Sequence, residues 1–130
     1  MEELIIQGRL DGLNDYTKAC RTNKYAGAKM KQENEAHVTL FIRNQLREER
    51  FERVAIRFNW YEPNKKRDPD NIAFAKKFIL DALVREGVLK NDTQKYIEHF
   101  EDYFYINTKE PRVEVWITEI EDWFIFIFML

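Results

Sequence analysis

One cysteine, Cys20, is the only thiol in the sequence, which excludes an intramolecular disulfide and makes a reducing, cytoplasmic setting the expectation. No zinc motif can be assembled around it. The only histidines, His37 and His99, lie in segments unlike the acidic cluster described below, and they read as ordinary surface or packed residues. Met1 to Ile6 opens Met-Glu-Glu and lacks the basic stretch followed by an apolar run that marks a signal peptide. The apolar run Trp123 to Leu130 is eight residues long, too short to cross a ~30 Å hydrocarbon core. Neither a membrane nor a small-molecule cofactor is expected as a partner.

A net excess of positive charge is also missing, since the formal charge is −2. That total conceals a partition. Residues 1 to 90 carry 18 Lys and Arg against 14 Asp and Glu, while residues 91 to 130 carry 3 against 9. Local positive patches rather than the whole-chain sum attract phosphates, so the acidity weakens a nucleic-acid reading without removing it.

The 130 residues, 45% hydrophobic and 15% aromatic, suit one globular domain spanning 1–130 with a core of its own. Leu4, Ile5 and Ile6 read as a first strand ending at Gly8, and Asn14 or Asp15 is placed to cap a short helix. Tyr25 to about Leu46 suits a long amphipathic helix. Arg53 to Trp60 alternates polar and apolar residues, the mark of a strand with one buried face. Glu62 to Pro69 is a polar loop, and the next helix is predicted from near Asp70 to Glu86, stopped by Gly87. Tyr96 to Ile106 and Val113 to Glu119 give two further strands. The fold class expected is mixed α/β (α+β), a small mixed sheet with helices packed against it. The tail Trp123 to Leu130 must be covered, as an added edge strand, a dimer contact or an exposed segment, ranked in that order.

Asp68 and Asp70 flank a proline at a helix start, and Asp92 follows the same helix in a loop. Magnesium suits such residues: it is a hard six-coordinate cation that takes one or two carboxylates, several waters and a substrate phosphate oxygen. Asp68 as N-cap, Pro69 at the first helical position and Asp70 in the first turn is equally good helix-start chemistry with no catalysis. At about 100° per residue, Lys77 shares the helix face of Asp70, whereas Lys76 falls at the edge of the buried stripe. Asp81 also shares that face but lies about 16 Å along the axis, too far to reach the same ion. Lys77 is then either a lysine reaching toward a metal-bound phosphate or one half of a solvated pair with Asp81. Lys65, Lys66 and Arg67 read as a phosphate clamp or as a solubilising loop.

Asn64 to Asn71, Ala75 to Leu83 and Gly87 to Asp92, with Gly8-Arg9-Leu10, Leu13 to Tyr16 and Gly27 to Lys31 before them, resemble the RusA-type Holliday junction resolvases, especially the phage-borne group. The resemblance implies a homodimeric endodeoxyribonuclease of DNA recombination and repair, in host or prophage, that cuts four-way junctions symmetrically. Magnesium, with manganese as the alternative, would assist phosphodiester hydrolysis. The family's paired acids fall on Asp68 and Asp70, and its third acid on Asp92, with Asn91 replacing the first of an Asp-Asp pair. Phe74 stands where the family lysine is usually found. Counted back from Asp81-Ala82-Leu83 that lysine matches Lys77, as if about one helical turn were inserted. Lys65, Lys66, Arg67 and Lys76 are the expected DNA contacts. A non-catalytic junction-binding protein and a nuclease acting on other branched DNA are the competing readings, divided from the first by metal dependence and by substrate.

Overall fold

Eight elements follow one another along residues 1–121, which are the residues that the computed structural model describes. They are β1 (Glu2–Gln7), α1 (Leu13–Thr22), α2 (Ala26–Gln45), β2 (Val54–Glu62), α3 (Pro69–Ala73), α4 (Lys76–Arg85), β3 (Ile97–Ile106) and β4 (Arg112–Glu119). The tail Trp123 to Leu130 lies outside the described residues. Among those described, no helix is long and apolar enough to cross a membrane.

The strands form one mixed sheet in the order β1-β4-β2-β3. β4 runs antiparallel to both β1 and β2, while β3 lies parallel to β2 at the sheet edge. Strand alternation decides which side chains enter the core. Leu4 and Ile6 of β1, Val54, Ile56, Phe58 and Trp60 of β2, and Val113, Val115 and Ile117 of β4 are all buried. They join Val38 and Ile42 of α2 and Phe78, Ile79, Ala82 and Leu83 of α4 in one hydrophobic cluster. This is the single mixed α/β domain that the residue pattern predicts.

Two helix boundaries differ from expectation. Gly12, not Asn14 or Asp15, is the N-cap of α1; Asp15 sits at the third helical position, where its carboxylate accepts the Gly12 N–H at 3.0 Å. The helix predicted from Asp70 to Glu86 is two helices. At Phe74 and Ala75 the backbone tightens, with Ala75 N–H bonding Ile72 O at 3.2 Å and Lys77 N–H bonding Phe74 O at 3.1 Å, each spanning three residues instead of four. The turn directs Phe74 into an aromatic cluster with Tyr16, at a centroid distance of 5.3 Å, and with Phe78 at 5.6 Å, while Ala75 is buried. Tertiary packing therefore overrides a sequence that contains no helix breaker. Lys77 and Asp81 keep a common face on α4, but that face does not run continuously back to Asp70 in α3.

At the far end, Gly87 has φ +78°, the left-handed conformation that ends α4 where glycine bears no steric cost. The chain then returns as Val88 and Leu89, both buried, to the loop that carries Asp92.

Candidate active site

β2 delivers the chain to the site through Glu62, which occupies the buried phase of the strand after Val54, Ile56, Phe58 and Trp60. Its carboxylate accepts Arg67 Nε at 2.8 Å on one oxygen and Arg67 Nη2 at 2.8 Å on the other. Arg67 Nη1 donates to Leu10 O at 3.1 Å, and Arg9 Nη2 donates to Glu62 at 3.3 Å. The bidentate pair staples the two ends of the polar loop together. Arg67 is thus engaged inside the protein, its donors holding Glu62 and Leu10. Lys65 and Lys66 remain exposed on the loop, which turns where Lys66 N–H bonds the Asn64 side chain at 3.0 Å.

The helix that follows is fixed from its buried side. Asn71 is buried, and its Oδ1 accepts the Asn14 N–H at 2.9 Å, tying α3 to the start of α1. Gly12 makes this approach workable, because a Cβ there would stand 2.5 Å from Asn71 Oδ1 and 3.0 Å from Arg67 Nη1.

Asp68 occupies the N-cap position of α3 with extended backbone, φ −74° and ψ 156°, and Pro69 follows inside the first turn. Its side chain makes no capping hydrogen bond, so position satisfies the helix-start reading while the carboxylate does not perform the capping. Asp70, in the first turn, is exposed as well. The ion pairs among the described residues draw in Asp15, Asp81, Asp92 and Asp102 but neither Asp68 nor Asp70. A cavity opens beside Asp68, with Lys65 and Pro69 on one side and Phe104, Tyr105 and Ile106 of β3 on the other.

Asp92 is partly buried in the loop beyond α4, and Lys77 Nζ stands 3.9 Å from its carboxylate. Lys77 also donates to Asp81 at 3.1 Å, and Lys31 reaches the other oxygen of Asp81 at 3.3 Å. The hydrogen bond to Asp81 raises the Lys77 pKa, with the charges of Asp81, Asp92 and Glu35 adding to it against partial burial. Lys77 is therefore a cation at neutral pH. The structure brings it to the third acid, Asp92, and gives it the pair with Asp81 as well.

Lys76 points elsewhere. Its Nζ donates to Asp102 of β3 at 2.7 Å and lies 4.6 Å from the centre of the Phe100 ring. Trp60 Nε1–H donates to the other oxygen of Asp102 at 2.9 Å. Lys76 joins α4 to the edge strand, its ammonium paired with Asp102 and largely covered.

Among the described residues no group of three or more His, Cys, Asp or Glu side chains stands close enough to hold a metal ion. The three aspartates are therefore not gathered into one cluster in this arrangement. The donor chemistry still fits magnesium, because Asp68 and Asp70 supply two hard carboxylates that make no ion pair among the described residues, and magnesium takes one or two carboxylates from a protein.

Sequence reasoning passed over Glu62, Asn71, Gly12 and Asp102. For Glu62 a signal existed, since it continues the buried register of β2. A pair of uncapped aspartates at a helix start beside a basic loop is an arrangement suited to phosphodiester hydrolysis. The chain matches the family Endodeoxyribonuclease RusA over residues 11–118, and it belongs to that family. Membership implies an endonuclease that resolves Holliday junctions. No curated protein matches the chain.

Proposed function

We propose that this RusA-family endonuclease is magnesium-dependent and structure-selective, and that it resolves four-way DNA junctions as a homodimer. The observation that supports this reading best is the Asp68 carboxylate, set at a helix cap and making no capping bond, with Asp70 beside it. Asp68, Asp70 and Asp92 would hold the ion, magnesium or in its place manganese. When bound, it supplies Lewis-acid polarisation of the phosphoryl oxygen and a bound water of lowered pKa.

The protein's own groups supply positioning and charge. Lys65 and Lys66 draw the phosphodiester backbone to the loop. Arg67, Glu62 and Asn71 hold that loop and α3 rigid, so that Asp68 and Asp70 are presented in one geometry. Lys77, protonated and next to Asp92, stabilises negative charge developing on the phosphate in the transition state. Two symmetric cuts need two sites, which a two-fold dimer provides.

The second reading is a non-catalytic junction-binding protein. It is favoured by the absence of a three-carboxylate group among the described residues. Labelled four-way junction and linear duplex, incubated with the parent chain and with Asp70→Asn, with and without magnesium, divide the two. Paired nicks on the junction by the parent, only with magnesium, support the nuclease. Binding that survives without the ion, and no cut when it is added, supports the binding module. Equal cutting by Asp70→Asn means that other residues hold the ion. Flaps or replication forks cut faster than the four-way junction would assign the site to other branched DNA.

A further inference from the structure

We infer that two copies of this chain associate through the open edge of β3, antiparallel, about a two-fold axis near Tyr103 and Phe104. This rests on the homodimer reading above and adds the surface that makes it.

The two edges of the sheet are treated differently. At β1 the Gln45 side chain of α2 donates to Ile5 O at 2.8 Å and accepts Ile5 N–H at 2.8 Å, and His37 Nε2 lies 2.7 Å from Gln7 O. These contacts close that edge to another strand, one of the ways proteins protect a sheet margin. β3 pairs with β2 along one side, and among the described residues no group bonds its outer side between His99 and Ile106.

The same strand carries a row of exposed apolar side chains: Phe100 38%, Tyr103 42%, Phe104 38%, Tyr105 38% and Ile106 48%. A long, exposed, apolar edge strand is a pairing site unless something covers it. Its charges indicate the cover. Glu98, Glu101 and Asp102 occupy the first half, whereas Tyr103 to Asn107 is uncharged and Lys109 follows. Parallel pairing in register would set Glu101 against Glu101. Antiparallel pairing about Tyr103 and Phe104 sets each copy's acids opposite its partner's uncharged half, avoiding like charges across the ladder. Phe104, Tyr105 and Ile106 also wall the cavity beside Asp68, so each copy's site flanks the axis.

The test uses the full chain. In a Cys20→Ser background, Tyr103→Cys is treated with a short bis-maleimide, and Lys29→Cys on the exposed face of α2 serves as control. In parallel, light scattering gives the mass of the parent and of Tyr103→Asp, which sets like charges together at the axis. The expected results are a parent with the mass of two chains, a covalent dimer from Tyr103→Cys and not from Lys29→Cys, and at least a tenfold weaker dimer for Tyr103→Asp. A dimeric parent without the Tyr103→Cys cross-link, or a Tyr103→Asp chain that stays fully dimeric, overturns this interface and leaves the homodimer reading intact. A monomeric parent overturns both and leaves the edge to the chain's own residues or to another protein. If Tyr103→Asp fails to fold, the cross-link alone decides.

Discussion

Arg67 and Glu62 lie five residues apart and meet through two hydrogen bonds of 2.8 Å, with side chains only 14% and 7% exposed. A pair so well covered behaves unlike a surface salt bridge. Removing one partner leaves a buried charge, at a cost of about 3 kcal/mol or more. Arg67→Ala is expected to lower the Tm by on the order of 10 °C, followed by circular dichroism. Were Arg67 a phosphate contact instead, the variant would keep its Tm and lose salt dependence in DNA binding.

Asp68 and Asp70 are expected to behave in the opposite way. With no capping bond and, among the described residues, no ion pair, neither carboxylate supports the fold. Asp68→Asn and Asp70→Asn should stay within about 0.5 kcal/mol of the parent in thermal unfolding, as ordinary surface substitutions do. Each should lose junction cleavage by on the order of 100-fold or more, comparable with removing one electrostatic group from an active site. A large fall in Tm for Asp68→Ala, which removes the capping oxygen that asparagine keeps, would restore the helix-cap reading.

For Lys77 the sign of the pH effect follows from its partners. Asp81 holds the ammonium pKa up, so the stability gained from the contact is fully present below the unfolded lysine pKa and is lost as pH rises through the folded one. Asp81→Asn removes the largest cause of that elevation. If the Lys77 cation serves cleavage, the alkaline limb of the pH–rate profile moves to lower pH in Asp81→Asn, and Lys77→Ala loses about 100-fold in rate. An unmoved alkaline limb would reduce Lys77 to its surface pair.

Gly12 is expected to resist substitution for a reason of space. A Cβ would meet Asn71 Oδ1 at 2.5 Å, which the Asn14 N–H holds in place, and the Asn71 carbonyl oxygen at 2.8 Å. Gly12→Ala should cost about 1–3 kcal/mol, the range for overpacking, measured by chemical denaturation. An unchanged midpoint would show that α3 moves freely over α1.

The strands were legible because alternation in Arg53 to Trp60 and in Val113 to Ile117 states directly which side is buried. The paired aspartates stood out because Pro69 lies between them. The split between α3 and α4 was not legible: no proline or glycine marks it, and its cause is the Phe74 ring reaching Tyr16 some sixty residues away along the chain. Nor could local spacing tell that Arg67 turns inward. Its partner Glu62 is visible as an acid in the buried phase of β2, but only the fold shows that the loop closes on it. Lys76 and Lys77 are neighbours whose charges part company, one to Asp102 of β3 and the other to Asp81 and Asp92, because successive residues of α4 point about 100° apart.

The sharing of one divalent ion by Asp68, Asp70 and Asp92 is tested, without DNA or turnover, by titration of the parent chain with Mn²⁺ followed by electron paramagnetic resonance. Saturable binding by the parent is expected, weakened at least tenfold in each of Asp68→Asn, Asp70→Asn and Asp92→Asn. Asp92→Asn binding the ion as tightly as the parent would contradict it.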